Sequence, residues 1–472
     1  MKKFALTILF TLLTSPAWAT TFFLAPASGG GNDSNSGTSS SSPWLSPNHS
    51  VNCGDVIIAA ASTSYSSADF ASGKWGVVNC PAGNNVAWVK CATFDACKIT
   101  ATSGEDGMHI TGNYWGVQGW EITATSSSTS ACFAAVPPTS SASIHHLVFA
   151  NNIANGCDGG GFVTYNNGGA SSDYIGMVGN IAFNGAQGNS YCYSGITVAA
   201  PVNTDTTAGT HIYVGGNFLY HNIDPNPCQG VTSTDGEGLI FDTIDGSSTG
   251  HPYTGQMLAD NNIFLGNGAR GFEVFLNQNA TPATVIVRQN TSWGNGTGTI
   301  NFGCGEYLTN SANSTQIYGN LAVANTATAC GNLTHYAYFI NGGSGTTVVT
   351  NNAAYSATGS NYFSEYTSGF SFGAGNVSMN PTFTSPSEPG APSCGGATSV
   401  PNCMAAVIAN FTPTTAAAKA YGYQIPSTSQ TNDPLYPQWL CNVNLPAGLV
   451  TMGCASSSSL PAAPTNISAV VK

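Results

Sequence analysis

Short apolar runs that end in asparagine recur through the middle of the chain. The first four are His109-Ile-Thr-Gly-Asn113, Leu147-Val-Phe-Ala-Asn-Asn152, Ile175-Gly-Met-Val-Gly-Asn180 and Ile212-Tyr-Val-Gly-Gly-Asn217. Four more follow: Met257-Leu-Ala-Asp-Asn-Asn262, Val285-Ile-Val-Arg-Gln-Asn290, Gln316-Ile-Tyr-Gly-Asn320 and Val348-Val-Thr-Asn-Asn352. The asparagines are spaced by 39, 28, 37, 45, 28, 30 and 32 residues. A constant core at variable spacing describes regular coils from which insertions loop out. After each asparagine comes a second short apolar run, such as Ile263-Phe264-Leu265 or Thr291-Ser292-Trp293, and often Gly-Asn.

Strands of three to five residues with alternate side chains inward, repeated coil on coil, make a solenoid. Asparagine suits the bends, because its amide replaces a lost backbone partner and tolerates left-handed geometry. Stacked coils would align these amides into a ladder. No segment from 109 to 355 sustains a 3.6-residue apolar period without Gly or Asn, which disfavours helix. The expected fold is all-β: a right-handed parallel β-helix over residues 20–385, followed by a disulfide-rich C-terminal capping region. That region, 386–455, loses the repeat and contains Cys394, Cys403, Cys441 and Cys454, with short helices expected at Met404–Phe411 and Thr414–Tyr421. It is expected to pack on the final coil and shield its open strands. Residues 456–472 form a Ser/Pro/Ala-rich tail.

At the N-terminus, Lys2 and Lys3, an apolar run over Phe4–Leu13 and the small-residue end Ala17-Trp18-Ala19 match a secretory signal peptide of residues 1–19. All fourteen cysteines follow it, an even number that reads as disulfides of an exported chain, secreted or periplasmic. Zinc is disfavoured, since there is no tight Cys-x-x-Cys pair. Without the leader, seven basic residues face 21 acidic ones, and between Lys98 and Lys419 the only permanent cations are Arg270 and Arg288. Such a surface cannot neutralise a row of phosphates or bind an anionic membrane, which excludes nucleic acid and leaves no membrane anchor.

The opening Leu24-Ala-Pro-Ala-Ser-Gly-Gly-Gly-Asn-Asp33, the run from Gly37-Thr38 to Pro43-Trp44, and Gly54-Asp55-Val56-Ile57 resemble the start of exported pectate-lyase-like right-handed β-helix proteins. The Asn-Asn-Ile and Gly-Asn turns resemble them as well, over roughly residues 21–385. The glycines at 29–31 and the cysteine-bearing insertions depart from the pattern. The resemblance implies a fold shared by lyases, glycoside hydrolases, epimerases, phage depolymerases and noncatalytic adhesins, so it fixes no reaction.

Chemistry concentrates in Asp235-Gly-Glu237-Gly-Leu-Ile-Phe-Asp242-Thr-Ile-Asp245 and, one coil later, Arg270-Gly-Phe-Glu273-Val-Phe275. Aligning Gly238-Leu239 with Gly271-Phe272 sends Leu239 and Phe272 inward and Ile240, Asp242 and Glu273 outward, with Glu237 over Arg270. A 4.8 Å coil spacing and a two-residue advance of about 6.6 Å separate the Asp242 and Glu273 backbones by roughly 8 Å. Paired carboxylates at about that separation hydrolyse glycosidic bonds, one as acid and the other activating water or attacking the sugar. Asp242 and Glu273 are the catalytic candidates, with Glu237 as an alternative acid. Asp235 or Asp245 would tune Glu237 by like-charge proximity, and Arg270 would orient substrate or hold Glu237.

The pectate-lyase resemblance implies a second chemistry, with Asp235, Glu237 and Asp242 holding Ca2+ and Arg270 as base for β-elimination. Hydrolysis requires no cofactor. The shortage of cations favours an extended polysaccharide or oligosaccharide that is neutral or weakly charged. A third reading is a noncatalytic glycan-binding or adhesin-like module, with calcium in a structural role. Glu306 would extend the cleft or sit as a solvated turn residue. Trp293, with Trp115, Trp120, Tyr114 and Tyr307, would stack on sugar faces or fill the core. His211, His221 and His251 flank the cluster as candidate bases, and the insertions at 184–210 and 221–235 would wall the cleft. The sugar, the linkage and the oligomeric state are not readable from the sequence.

Overall fold

A computed structural model describes residues 19–81, 85–102, 104–124, 131–166, 168–187, 192–224, 235–298, 305–324, 335–342, 346–357, 363–365, 370–425, 433–443, 445–446 and 449. The expected signal peptide, save Ala19, and the expected tail lie outside them, as do Cys228, Cys304, Cys330 and Cys454.

The chain winds into a right-handed parallel β-solenoid. Its described strands form three long parallel sheets of eleven, eleven and nine strands, each strand pairing with its counterparts one coil before and after. The first sheet runs from Thr21–Leu24 to Val348–Thr350, the second from Ser62–Tyr65 to Val377–Ser378, and the third from Met108–Ile110 to Phe363–Glu365. One continuous apolar core fills the interior.

The expected amide ladder is present at the bend between the first and second sheets. Each rung is a backbone N–H donating to the next asparagine's Oδ1: Asn152 to Asn180 (3.0 Å), Asn180 to Asn217 (2.8 Å), Asn217 to Asn262 (2.9 Å) and Asn262 to Asn290 (2.8 Å). Asn290 to Asn320, Asn320 to Asn352 and Asn352 to Asn376 continue it. Each amide nitrogen donates as well, so these buried side chains are paired on both sides. Asn113 is a correction. It lies outside the ladder and accepts from the His145 backbone N–H, and Trp120 holds the ladder position of its coil.

A second ladder runs one strand further on, where the sequence shows Gly-Asn after the second apolar run. The Gly185 N–H donates to Asn222 (3.1 Å), Asn222 to Asn267 (3.1 Å) and Asn267 to Asn295 (2.9 Å). Two amide columns therefore fix the coil spacing independently of the insertions.

The C-terminal segment departs from a cap laid over the last coil and runs back along two flanks. Cys394, Val400, Met404 and Phe411 pack on the outer face of the second sheet, against Ile181, Phe218 and Leu265. Tyr436, Trp439, Leu440 and Val443 pack on the first, against Val148, Tyr213 and Leu258. Polar contacts pin it: the Val400 N–H donates to Asn151 Oδ1 at 2.6 Å, and Arg288 pairs with both Asp260 and Asp433. The expected helix is present at Ala405–Phe411, whereas 414–421 forms only a 3-10 turn at Ala418–Ala420.

Cys53–Cys80, Cys91–Cys97, Cys132–Cys157 and Cys394–Cys403 are disulfides, and Cys192 and Cys441 are also disulfide-bonded. No helix among the described residues is long and apolar enough to cross a membrane.

Candidate functional site

The apolar cluster on the third sheet's outer face, around Ala131, Ala134 and Val163, includes no described residue of the C-terminal segment. The acidic coils lie in this sheet. Leu239–Asp242 and Arg270–Asn277 pair in the expected register, Leu239 with Phe272 and Ile240 with Glu273. Leu239, Phe241, Phe272 and Val274 belong to the interior core, which leaves Ile240 and Glu273 on the other face by strand alternation. Gly271 is needed here: a Cβ on it would stand 2.0 Å from Ser292 Oγ and 2.9 Å from the Glu306 carbonyl oxygen.

Outward does not mean exposed. Glu237, Arg270 and Glu273 are all buried, at 0%, 1% and 3% exposure, which corrects the expectation of a solvent-facing pair. Arg270 Nη1 donates to Glu237 Oε1 at 2.7 Å and to Glu273 Oε2 at 2.9 Å. The other oxygen of Glu237 accepts from Ser194 Oγ at 2.6 Å. Burial drives the Glu273 carboxyl well above the ordinary range, outweighing Arg270, and the bond it shares with Glu237 pushes the same way. This shift favours the protonated form and makes Glu273 a poor nucleophile or base. Arg270, committed to two carboxyls, is equally unsuited to pulling a proton from substrate.

Asp242 differs. It is partly exposed at the end of its strand, and its carboxyl is raised to about 6 by burial and by the charges of Glu237 and Asp245, against the bonds from Thr243. The Thr243 hydroxyl donates to its Oδ1 at 2.8 Å. Asp245, also partly exposed, accepts from the Ser247 backbone N–H at 2.9 Å. A carboxyl raised in this way can serve as the acid of a carboxyl pair.

Glu306 is neither a cleft residue nor a solvated one. It is fully buried and receives the last described rung of the second amide ladder: Asn295 donates to it from the backbone N–H (3.2 Å) and from Nδ2 (2.6 Å), and Ser292 from its hydroxyl (2.6 Å). Trp115, Trp120 and Tyr307 are core, Tyr307 stacking on Tyr338 at 4.9 Å. Trp293 belongs to the second sheet, beside Phe411 of the C-terminal segment, and is not part of the acidic site. His211 is buried and held by Asp173 at 3.1 Å and by the Thr207 carbonyl at 2.8 Å, on the first sheet. Residues 225–234, most of the second proposed wall, lie outside the described residues.

Asp224, Asp235 and Cys192 place a carboxylate oxygen or sulfur within 4.8 Å of one another. The Cys192 sulfur is in a disulfide and is not a thiolate ligand. Two carboxylates remain among the described residues.

No family model and no curated protein matches the chain. Among solved structures, a pectate lyase, Pel9A, is 17% identical over 71% of this chain and 79% of its own, with a TM-score of 0.39. The GH136 lacto-N-biosidase from Eubacterium ramulus is 10% identical over 76% and 68%, with a TM-score of 0.43. The A-module of the Azotobacter vinelandii mannuronan C-5 epimerase AlgE4 is 13% identical over 68% and 86%, with a TM-score of 0.36. These are likenesses of architecture, and the three named activities differ.

Proposed function

We propose that the protein acts outside the cytoplasm on an extended, neutral or weakly charged polysaccharide, and that it hydrolyses glycosidic bonds on the outer face of the third sheet. The observation that carries this reading is Asp242: a partly exposed carboxyl at the end of its third-sheet strand, raised to about 6. A group poised there donates a proton to a glycosidic oxygen near neutral pH. Asp245 is the carboxylate available to activate water. Glu237, Arg270 and Glu273 act beneath them as a fixed electrostatic support, and Glu237 helps to raise Asp242.

The neutral substrate follows from the cations. Both arginines are sequestered in ion pairs, Arg270 on Glu237 and Glu273 and Arg288 on Asp260 and Asp433. No other Lys or Arg lies between Lys98 and Lys419. A polyuronate would find no side-chain cation along this part of the solenoid, which counts against β-elimination.

Incubation with a panel of neutral and acidic polysaccharides, with and without chelator, tests the reading. New reducing ends without unsaturated product support hydrolysis. Unsaturated product that disappears on chelation would replace it with a calcium-dependent lyase. Binding without turnover would replace it with a glycan-binding module.

A further inference from the structure

A second depression lies on a different face of the solenoid. It has a volume of about 280 Å³ and is lined by Trp293, Val323, Ala324, Tyr355, Ala357 and Glu388. Trp293, Val323 and Tyr355 occupy one column of the second sheet, paired in register over three successive coils. Two coil spacings set the Trp293 and Tyr355 positions about 9.6 Å apart with the smaller valine between them. A flat six-membered ring in van der Waals contact on both sides needs about 7–8 Å. All three side chains are partly exposed, so the slot opens to solvent.

Its wall is built. Trp293 is supported by Phe411, ring centroids 5.4 Å apart, and Phe411 in turn by Phe383 at 5.4 Å. Glu388 comes from the C-terminal segment, which Tyr220 fastens nearby by donating its hydroxyl to the Gly390 carbonyl at 3.2 Å. The Glu388 carboxylate lies against Gly266, whose φ is +58°; a Cβ there would stand 2.4 Å from Oε1 and Cδ. Glycine thus leaves room for an exposed acceptor beside two aromatic side chains. Aromatic surfaces with one hydroxyl acceptor, and no cation among the lining residues, suit the apolar face and the hydroxyl edge of a neutral sugar and disfavour an anion.

We propose that this slot binds one pyranose unit of a neutral glycan, as a holding site separate from the Asp242 face. The choice of ligand class rests on the polysaccharide reading above. A site on another sheet tethers a long chain without occupying the reactive face, so it raises the local concentration of substrate.

Titration calorimetry with cellohexaose, xylohexaose and mannohexaose tests it, using wild type, Tyr355→Ala, Glu388→Gln, Trp293→Ala and Asp242→Asn, with melting temperature as the check on folding. Tyr355→Ala is decisive because Trp293 also supports Phe411. The expected result is that at least one hexaose binds, that Tyr355→Ala weakens it about tenfold or more, and that Asp242→Asn leaves the slot's affinity unchanged. Failure of all three to bind wild type, or affinity within twofold in both Tyr355→Ala and Trp293→Ala, overturns the slot. The two readings separate cleanly. Hydrolysis with affinity independent of Tyr355 removes the slot and keeps the reaction. Tyr355-dependent binding without any new reducing ends keeps the slot and removes the reaction.

Discussion

Asn295 donates twice to Glu306, from the backbone N–H to Oε1 at 3.2 Å and from Nδ2 to Oε2 at 2.6 Å. Glu306 thereby takes the place of an amide in the last described rung of the column. Oε2 also receives the Ser292 hydroxyl. Glu306→Gln keeps the shape but turns an amide NH2 or a single oxygen toward three donors, leaving at least one buried group unsatisfied. Urea denaturation is expected to show a loss of about 2–3 kcal/mol. A near-neutral result would mean that the donors find other partners.

The same isosteric change at Glu273 has the opposite expectation. Burial shifts the Glu273 carboxyl upward toward its neutral form, which a neutral amide imitates. Glu273→Gln is expected to cost less than about 1 kcal/mol. Arg270→Met removes the cation from two buried carboxyls and is expected to cost about 3–5 kcal/mol. Chemical denaturation of the two variants side by side checks the contrast; equal losses would contradict that upward shift.

His146 lies between Tyr114 and Tyr174, with ring centroids 4.8 and 4.5 Å away, and Trp439 of the C-terminal segment meets it edge-on. Burial, and the neighbouring His145, lower its pKa to about 4. The folded state thus refuses a proton that the unfolded chain accepts near 6.5. Stability from this group is complete above that value and is lost as pH falls toward 4, by roughly 2–3 kcal/mol. His211 works in reverse: Asp173 and the Thr207 carbonyl raise its pKa against burial, and its contribution is lost as pH rises through the raised value. His146→Phe should therefore flatten the acid limb of the melting profile between pH 6.5 and 4, and an unchanged limb would contradict the assignment.

Asp242 carries a cost of its own. Its folded pKa is raised, so the native state binds the extra proton between about 4 and 6, and stability falls as pH rises across that window. Asp242→Asn is expected to raise the melting temperature at pH 8 and to change it little at pH 4. A carboxyl kept at a partly buried position that disfavours its charge is the pattern of stability given up for function.

Sequence pattern was enough for the solenoid because an asparagine recurs at the same bend of successive coils, and seven of the eight repeats place theirs in the ladder. Asn113 misled because a short β-rich run precedes it just as in the others, although it opens a first-sheet strand. Asn376 escaped because Gly-Ala-Gly precedes it instead of an apolar run. At the site, alternation correctly fixed the register of Glu273 against Ile240. It could not say what covers that face, and so the buried state of Glu237, Arg270 and Glu273 was not legible. Glu306 was misplaced for a related reason: nothing local distinguishes a carboxylate that joins a buried amide column from one at a solvated turn. The route of residues 394–443 along two flanks was hidden because those contacts join positions more than a hundred residues apart, as with Thr210 and Leu435.

The central claim is that Asp242 donates the proton in glycosidic hydrolysis, and the pH dependence of reducing-end release on a neutral polysaccharide tests it most directly. The account predicts that the wild-type rate falls as pH rises through about 6, and that Asp242→Asn lowers the rate by about 10²–10⁴-fold with glycan affinity retained. An Asp242→Asn variant that keeps most of its activity, or a wild-type rate indifferent to pH across that value, would contradict it.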